Sequence, residues 1–228
     1  MNTKSLIAAA VIAVSSISTA QAAQFVTGYD VSNARTSGYG GWTHTYSGAI
    51  TSAGGGLFNY TGGNGTLNDG VISANNLSNQ LFSLADNSSI TLHLNSPTFL
   101  SELNIFGATG SGNGIPGILT GATLSFGGLS QVFSSTPWGP TCTSGLCNDK
   151  FSFAGTSLAS IATNVITLSN FQVAPGPWST YFNASEISIS GVAAVSPVPE
   201  PETYAMLLAG LGLMGCMARR RKQKLATA

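Results

Sequence analysis

Proton transfer and nucleophilic attack need titratable groups at matched positions, and this chain holds few. His44 and His93 are its two histidines. His93 alternates out of phase with Ile90, Leu92 and Leu94, which places it on the solvent side of a strand. His44, between Trp42 and Tyr46, reads as an ordinary solvent-exposed histidine. Glu102 and Glu186 are the carboxylates a glycosidase would pair, but each lies beside a strand hydrophobe with no obvious partner. No Gly-x-Ser-x-Gly elbow, His-Glu-x-x-His pair or phosphate loop occurs in the sequence. The expectation is a protein that is not an enzyme, with no catalytic residues and no metal site.

Binding needs less machinery. A sugar is held by laying its apolar face on an aromatic ring, with a few fixed hydrogen bonds around it. Trp138, Trp178 and Tyr181 stand in or beside the turns Thr136-Pro137-Trp138-Gly139-Pro140 and Pro175-Gly176-Pro177-Trp178, and are the candidate carbohydrate-binding residues. The competing reading has the tryptophans capping a core. Asp69 is expected to organise a turn through its carboxylate, with calcium binding as the alternative; no other cofactor is expected. Asn59, Asn64, Asn76, Asn87 and Asn183 each begin an Asn-x-Ser/Thr tripeptide, a pattern that an Asn/Ser/Thr-rich chain produces by chance.

The elements that must carry these residues read as short strands. Ser89 to Leu94 alternates with period two, putting Ile90, Leu92 and Leu94 on one face. Leu100 to Phe106 continues after an expected break at Pro97. Ala122 to Phe126, Gln131 to Phe133, Lys150 to Phe153, Val165 to Leu168 and Glu186 to Ile189 follow, separated by Gly, Pro and Asn clusters. Ser157 to Ala162 reads as a short helix. Gln24 to Gly65 is rich in glycine, with Tyr39, Trp42, Tyr46, Phe58 and Tyr60 among polar residues, and is expected to form irregular edge strands or a flexible extension. The fold class is all-β, an antiparallel jelly-roll β-sandwich.

Both ends carry addresses. Lys4, the apolar run Leu6 to Val14 and Ala20-Gln21-Ala22 make a signal peptide, cleaved after Ala22. At the other end Thr203 to Ala218 carries no charge and spans roughly 24 Å as a helix, against roughly 30 Å of hydrocarbon. Its flanking Arg219, Arg220, Arg221 and Lys222 can snorkel to headgroups and stay cytoplasmic, which favours a single transmembrane helix over a packed amphipathic one. Cys142 and Cys147 lie in the exported part and bracket a short loop, so an oxidising periplasm allows a disulfide between them, with two thiols as the alternative. Between the signals the cations are Arg35 and Lys150, against Asp30, Asp69, Asp86, Glu102, Asp149 and Glu186. Such sparse positive charge disfavours nucleic acid as a partner.

Val198-Pro199-Glu200-Pro201, one glycine-containing apolar segment and the Arg cluster resemble the PEP-CTERM sorting signal of Gram-negative bacteria. The resemblance implies recognition near Pro199, Glu200 and Pro201 by an exosortase, a membrane-embedded cysteine protease-like transpeptidase. It further implies removal of the tail with Arg219, Arg220 and Arg221, and transfer of the ectodomain to the cell surface or exopolysaccharide matrix.

From Leu67 onward the chain resembles a galactose-binding-like (discoidin-type) jelly roll. The resembling pieces are Leu67-Asn68-Asp69-Gly70, Ile90 to Leu94, Leu103 to Phe106 and Ala184 to Ile189. The tryptophan usual soon after the Asp-Gly turn is absent, with Leu77, Leu81 and Phe82 in that region.

The organisation expected is a signal peptide (1–22), a glycine- and aromatic-rich part of the ectodomain (23–66), a β-sandwich (67–195) and a sorting signal (196–228). The function expected is a non-enzymatic envelope or matrix protein of the biofilm kind. Its partners would be the Sec machinery, an exosortase, the inner membrane before processing, and polysaccharide. A carbohydrate-binding module or adhesin is the alternative, and a hydrolase ranks behind both.

Overall fold

A computed structural model of the chain describes residues 26–35, 43–73, 75, 79–109, 119–134, 145–175, 180–194 and 205–214. Its strands are β1 (Val26–Arg35), β2 (Ala49–Gly54), β3 (Leu57–Gly63), β4 (Leu81–Leu84), β5 (Ser89–Thr109) and β6 (Leu119–Phe126). They continue with β7 (Leu129–Ser134), β8 (Gly145–Ser152), β9 (Ala162–Val173), β10 (Tyr181–Ala184) and β11 (Glu186–Ala193). A 3-10 turn at Ser157–Ser160 stands where the short helix was expected. Contacts divide the chain into two units, Met1–Ala194 and Val195–Ala228.

β5 is the spine of the first unit. Its first half pairs with β1 and β9, its second with β11 and β8, all antiparallel. The main path runs β10-β4-β1-β5-β9-β6-β7, with the β2–β3 hairpin attached to β1. The buried hydrophobic residues of β5 are Ile90, Leu92, Leu94 and Leu100 in its first stretch, then Leu103 and Ile105. The inward phase thus moves from even to odd positions, opposite a register shift in β11 between Ser190 and Gly191. One strand therefore serves two directions of a common core, as a β-sandwich requires where a strand passes from one sheet to the other.

Pro97 does not end β5. Proline interrupts a sheet because it has no N–H to give a ladder. Here residues 95–97 fall between the two sets of partners and have no paired residue in either ladder, so no donor is needed. Pro97 still uses its carbonyl, which accepts the Ala194 N–H at 2.8 Å.

The glycine- and aromatic-rich start also departs from expectation. β1 is an interior strand, hydrogen-bonded to β5 on one side and to β3 and β4 on the other. Tyr29, Val31, Ala34 and Tyr60 belong to the same buried cluster as the β5 leucines. Among the three strands of this region, β2 has the character of an edge, exposed along its whole length. The reason is chemical: tyrosines bury their rings while their hydroxyls find main-chain partners, so polar spacing concealed a core strand. The β6–β7 hairpin turns on Gly127 and Gly128, whose φ values of 60° and 77° suit the twist of a two-residue loop.

Candidate functional site

Five places among the described residues of the first unit bring titratable or ring-bearing side chains together, and the second unit carries the tail. Asp69 and Glu186 meet first, joined from positions far apart in sequence. The chain from Leu67 to Ser73 is fastened to the start of β11 by Ile187 N–H to the Leu67 carbonyl at 2.9 Å. Ser73 N–H to Ser185 Oγ at 3.2 Å adds a second tie. Gly70 N–H donates to Glu186 Oε2 at 3.0 Å, and Val71 N–H donates to Asp69 Oδ1 at 2.8 Å. Asp69 therefore organises a turn. A cleft of about 270 Å³ opens beside this clasp, lined by Val26, Asn68, Gly70, Glu186 and Ser188. Burial raises the Glu186 carboxyl to about 7; the Gly70 N–H opposes that rise and the Asp69 charge adds to it. Among the described residues no three His, Cys, Asp or Glu side chains gather as metal ligands.

His44 lies in a box of three tyrosines, a correction to the exposed position expected for it. It is only 8 % exposed. Its Nε2 is 2.8 Å from the Tyr29 hydroxyl, while its buried Nδ1 has no hydrogen-bond partner. The Tyr60 ring stands 4.7 Å away and the Tyr46 ring 6.0 Å. Burial lowers the imidazole to about 4, so it is neutral at physiological pH. The strap carrying it is stitched down by main-chain bonds: Thr66 N–H to Thr45 carbonyl at 3.0 Å, Gln80 N–H to Thr43 carbonyl at 2.7 Å. No periodicity marks such a strap. The only sequence signal was the run of aromatic residues around it.

His93 does face outward, and its Nε2 lies 2.8 Å from Asp30 Oδ2. Burial alone would raise the Asp30 carboxyl, but the Gly62 N–H and His93 together bring it below the usual range.

The two glutamates do not converge. On β5 and β11, Glu102 faces Ser190 while Glu186 faces Phe106. Four residues of strand separate the two rows, about 13 Å at 3.3 Å per residue, against roughly 5–9.5 Å for working glycosidase pairs. Glu102 is paired with Lys150 and accepts the Asn104 amide at 2.8 Å. The hydrogen bond from Lys150, then that from Asn104, holds its carboxyl low.

Tyr181, on β10, stacks on Phe82 at 4.9 Å and has the Arg35 guanidinium 5.9 Å from its ring centre. Arg35 also donates to the Tyr181 hydroxyl at 3.5 Å. Trp138 and Trp178 lie outside the described residues, as does Cys142; Cys147 is in β8 opposite Gly107.

In the second unit, residues 205–214 form an exposed helix. Among the described residues no helix is long and apolar enough to cross a membrane. Pro199, Glu200, Pro201, Arg219, Arg220 and Arg221 lie outside the described residues, as does the expected signal peptide.

Residues 197–222 match the PEP-CTERM protein-sorting motif, so the carboxyl-terminal unit carries a sorting signal. No curated protein matches the chain. Among solved structures, a two-domain protein with unknown function from Bacteroides fragilis is similar at TM-score 0.38 and 16% identity. That match covers 55% of this chain and 37% of the other, so this chain spans little more than a third of that protein. The family 32 carbohydrate-binding module of C. perfringens NanJ, in complex with galactose, gives TM-score 0.37 and 17% identity over 69% of this chain and 98% of the module. A second Clostridium perfringens family 32 module, in complex with GalNAc-β-1,3-galactose, gives 0.36 and 16% over 65% and 94%.

Proposed function

We propose that this is an exported, non-enzymatic protein of the cell envelope or exopolysaccharide matrix, delivered by its carboxyl-terminal signal. The observation that carries this reading is the sorting motif at residues 197–222, attached to a β domain that ends at Ala194. Residues 1–22 direct the chain through Sec. The apolar stretch 203–218 anchors it in the inner membrane with Arg219, Arg220 and Arg221 inside, and an exosortase acts near Pro199-Glu200-Pro201. The ectodomain, folded as a jelly roll and clipped by a Cys142–Cys147 disulfide, is then released to the surface or matrix. The absence of calcium chemistry and of catalysis belongs to this reading. The separation of Glu102 from Glu186 supports it, as does the neutral, enclosed His44. Changing Pro199, Glu200 and Pro201 together to alanine is expected to leave the protein uncut in the membrane fraction. Normal processing of that variant would refute the sorting role.

A second reading, carbohydrate binding through Trp138, Trp178 and Tyr181, is favoured by one observation. Tyr181 is only partly buried and lies beside the Arg35 guanidinium, a hydrogen-bond donor of the kind that orients a sugar hydroxyl at an aromatic site. On a glycan array, Trp138→Ala and Trp178→Ala should each weaken any signal at least about tenfold if stacking holds the ligand. Undiminished binding would remove the tryptophans from the site.

A further inference from the structure

The tail leaves the β domain at one defined point. Ala194 N–H is bonded to the Pro97 carbonyl at 2.8 Å, at the break between the two ladders of β5. Next to that exit, Val192, Phe99 and Ala162 face one another across β11, β5 and β9. The row is apolar and contains no charged residue, yet Phe99 is 41% exposed and Val192 51%. A phenylalanine directly opposite a valine at this exposure is a paired patch, unlike a lone surface hydrophobe.

We infer that this row is a bilayer-facing rim, seated on the lipid interface while the chain is still anchored. The inference rests on the reading of residues 203–218 as the membrane segment. Two observations select lipid as the occupant. First, the patch adjoins the last bonded residue of the domain. Residues 195–204 reach at most about 33–36 Å at full extension, so an anchored chain keeps this rim within that distance of the membrane. Second, the row offers uncharged side chains with an aromatic ring, which suits the headgroup boundary. Two other exposed hydrophobes lie farther off. Ile50 and Val132 belong to rows that meet β5 at Ile90 and Ser89, about 30 Å of strand from Phe99.

The test places the photo-cross-linking residue p-benzoylphenylalanine at one position of the full chain, with its sorting tail intact. The chain is reconstituted into vesicles of phosphatidylethanolamine and phosphatidylglycerol. Phe99→p-benzoylphenylalanine and Val192→p-benzoylphenylalanine should form lipid adducts roughly fivefold or more above Ile50→p-benzoylphenylalanine and Val132→p-benzoylphenylalanine. These four side chains are exposed, so the exchange disturbs little packing. Equal adduct yields at all four positions in chains that float with the vesicles would overturn the rim. Adducts from position 99 to protein alone would overturn it too, in favour of a protein occupant. Chains that fail to float would refute the membrane reading itself, and the rim with it.

Discussion

His44 and Glu186 titrate over overlapping ranges and act on stability with opposite signs. His44 is held at about 4 in the fold against 6.5 outside it, so between those values the unfolded chain binds the extra proton. Its contribution is therefore complete above pH 6.5 and is lost as pH falls towards 4. The 2.5-unit difference amounts to about 3 kcal/mol at 1.36 kcal/mol per unit. Glu186 is raised to about 7 from 4.5, so the folded state keeps its proton longer. Its contribution is complete below pH 4.5 and is lost as pH rises towards 7. The two slopes oppose each other, and stability should change little across this interval. Urea unfolding should show His44→Gln falling in stability as pH rises and Glu186→Gln losing stability as pH falls. Parallel pH profiles for the two variants would contradict the assignment. Neither residue declared this role in sequence. His44 sits in no periodic pattern, and Glu186 meets Gly70 across 116 positions.

The elements were far more legible. Period-two alternation marked Ile90, Leu92 and Leu94 as inward, and all three are buried. Leu103 and Ile105, in the stretch expected to continue as a strand, are fully buried, though the change of phase between Leu100 and Leu103 depends on partners that alternation does not encode. Pro97 misled because a proline's cost depends on whether its position faces a ladder. β1 was missed because the alternation of Tyr29 and Val31 is short and breaks at Asn33, whose φ is 56°, so that Ala34 is the next buried residue. The strap over residues 43–48 needs close main-chain approach. A Cβ on Gly65 would collide with the Thr45 carbonyl oxygen and lie 3.0 Å from the Tyr29 hydroxyl. Gly65→Ala should therefore cost about 1–3 kcal/mol, as overpacking does, and lower the thermal midpoint. An unchanged midpoint would mean the strap does not press on Gly65. Leu92→Ala, in contrast, empties a core site and should cost about 2–5 kcal/mol.

At the scale of the whole molecule, the two units were legible to different depths. The tail shows its purpose in order and composition: a Pro-Glu-Pro segment, an uncharged stretch and a basic cluster, matched at residues 197–222. The β domain shows its architecture in sequence, but not long-range meetings such as that of Arg35 with Tyr181, 146 positions apart. The low charge of the domain fits a surface covered by Ser, Thr, Asn and Gly. The central claim is that the chain is made with two addresses and keeps neither. Intact mass spectrometry of the protein recovered from the outside of its native cells tests this most directly. The mass should correspond to a chain that begins after Ala22 and lacks the segment from the Pro-Glu-Pro region to Ala228. A full-length mass, with the protein confined to the cytosol, would contradict the account.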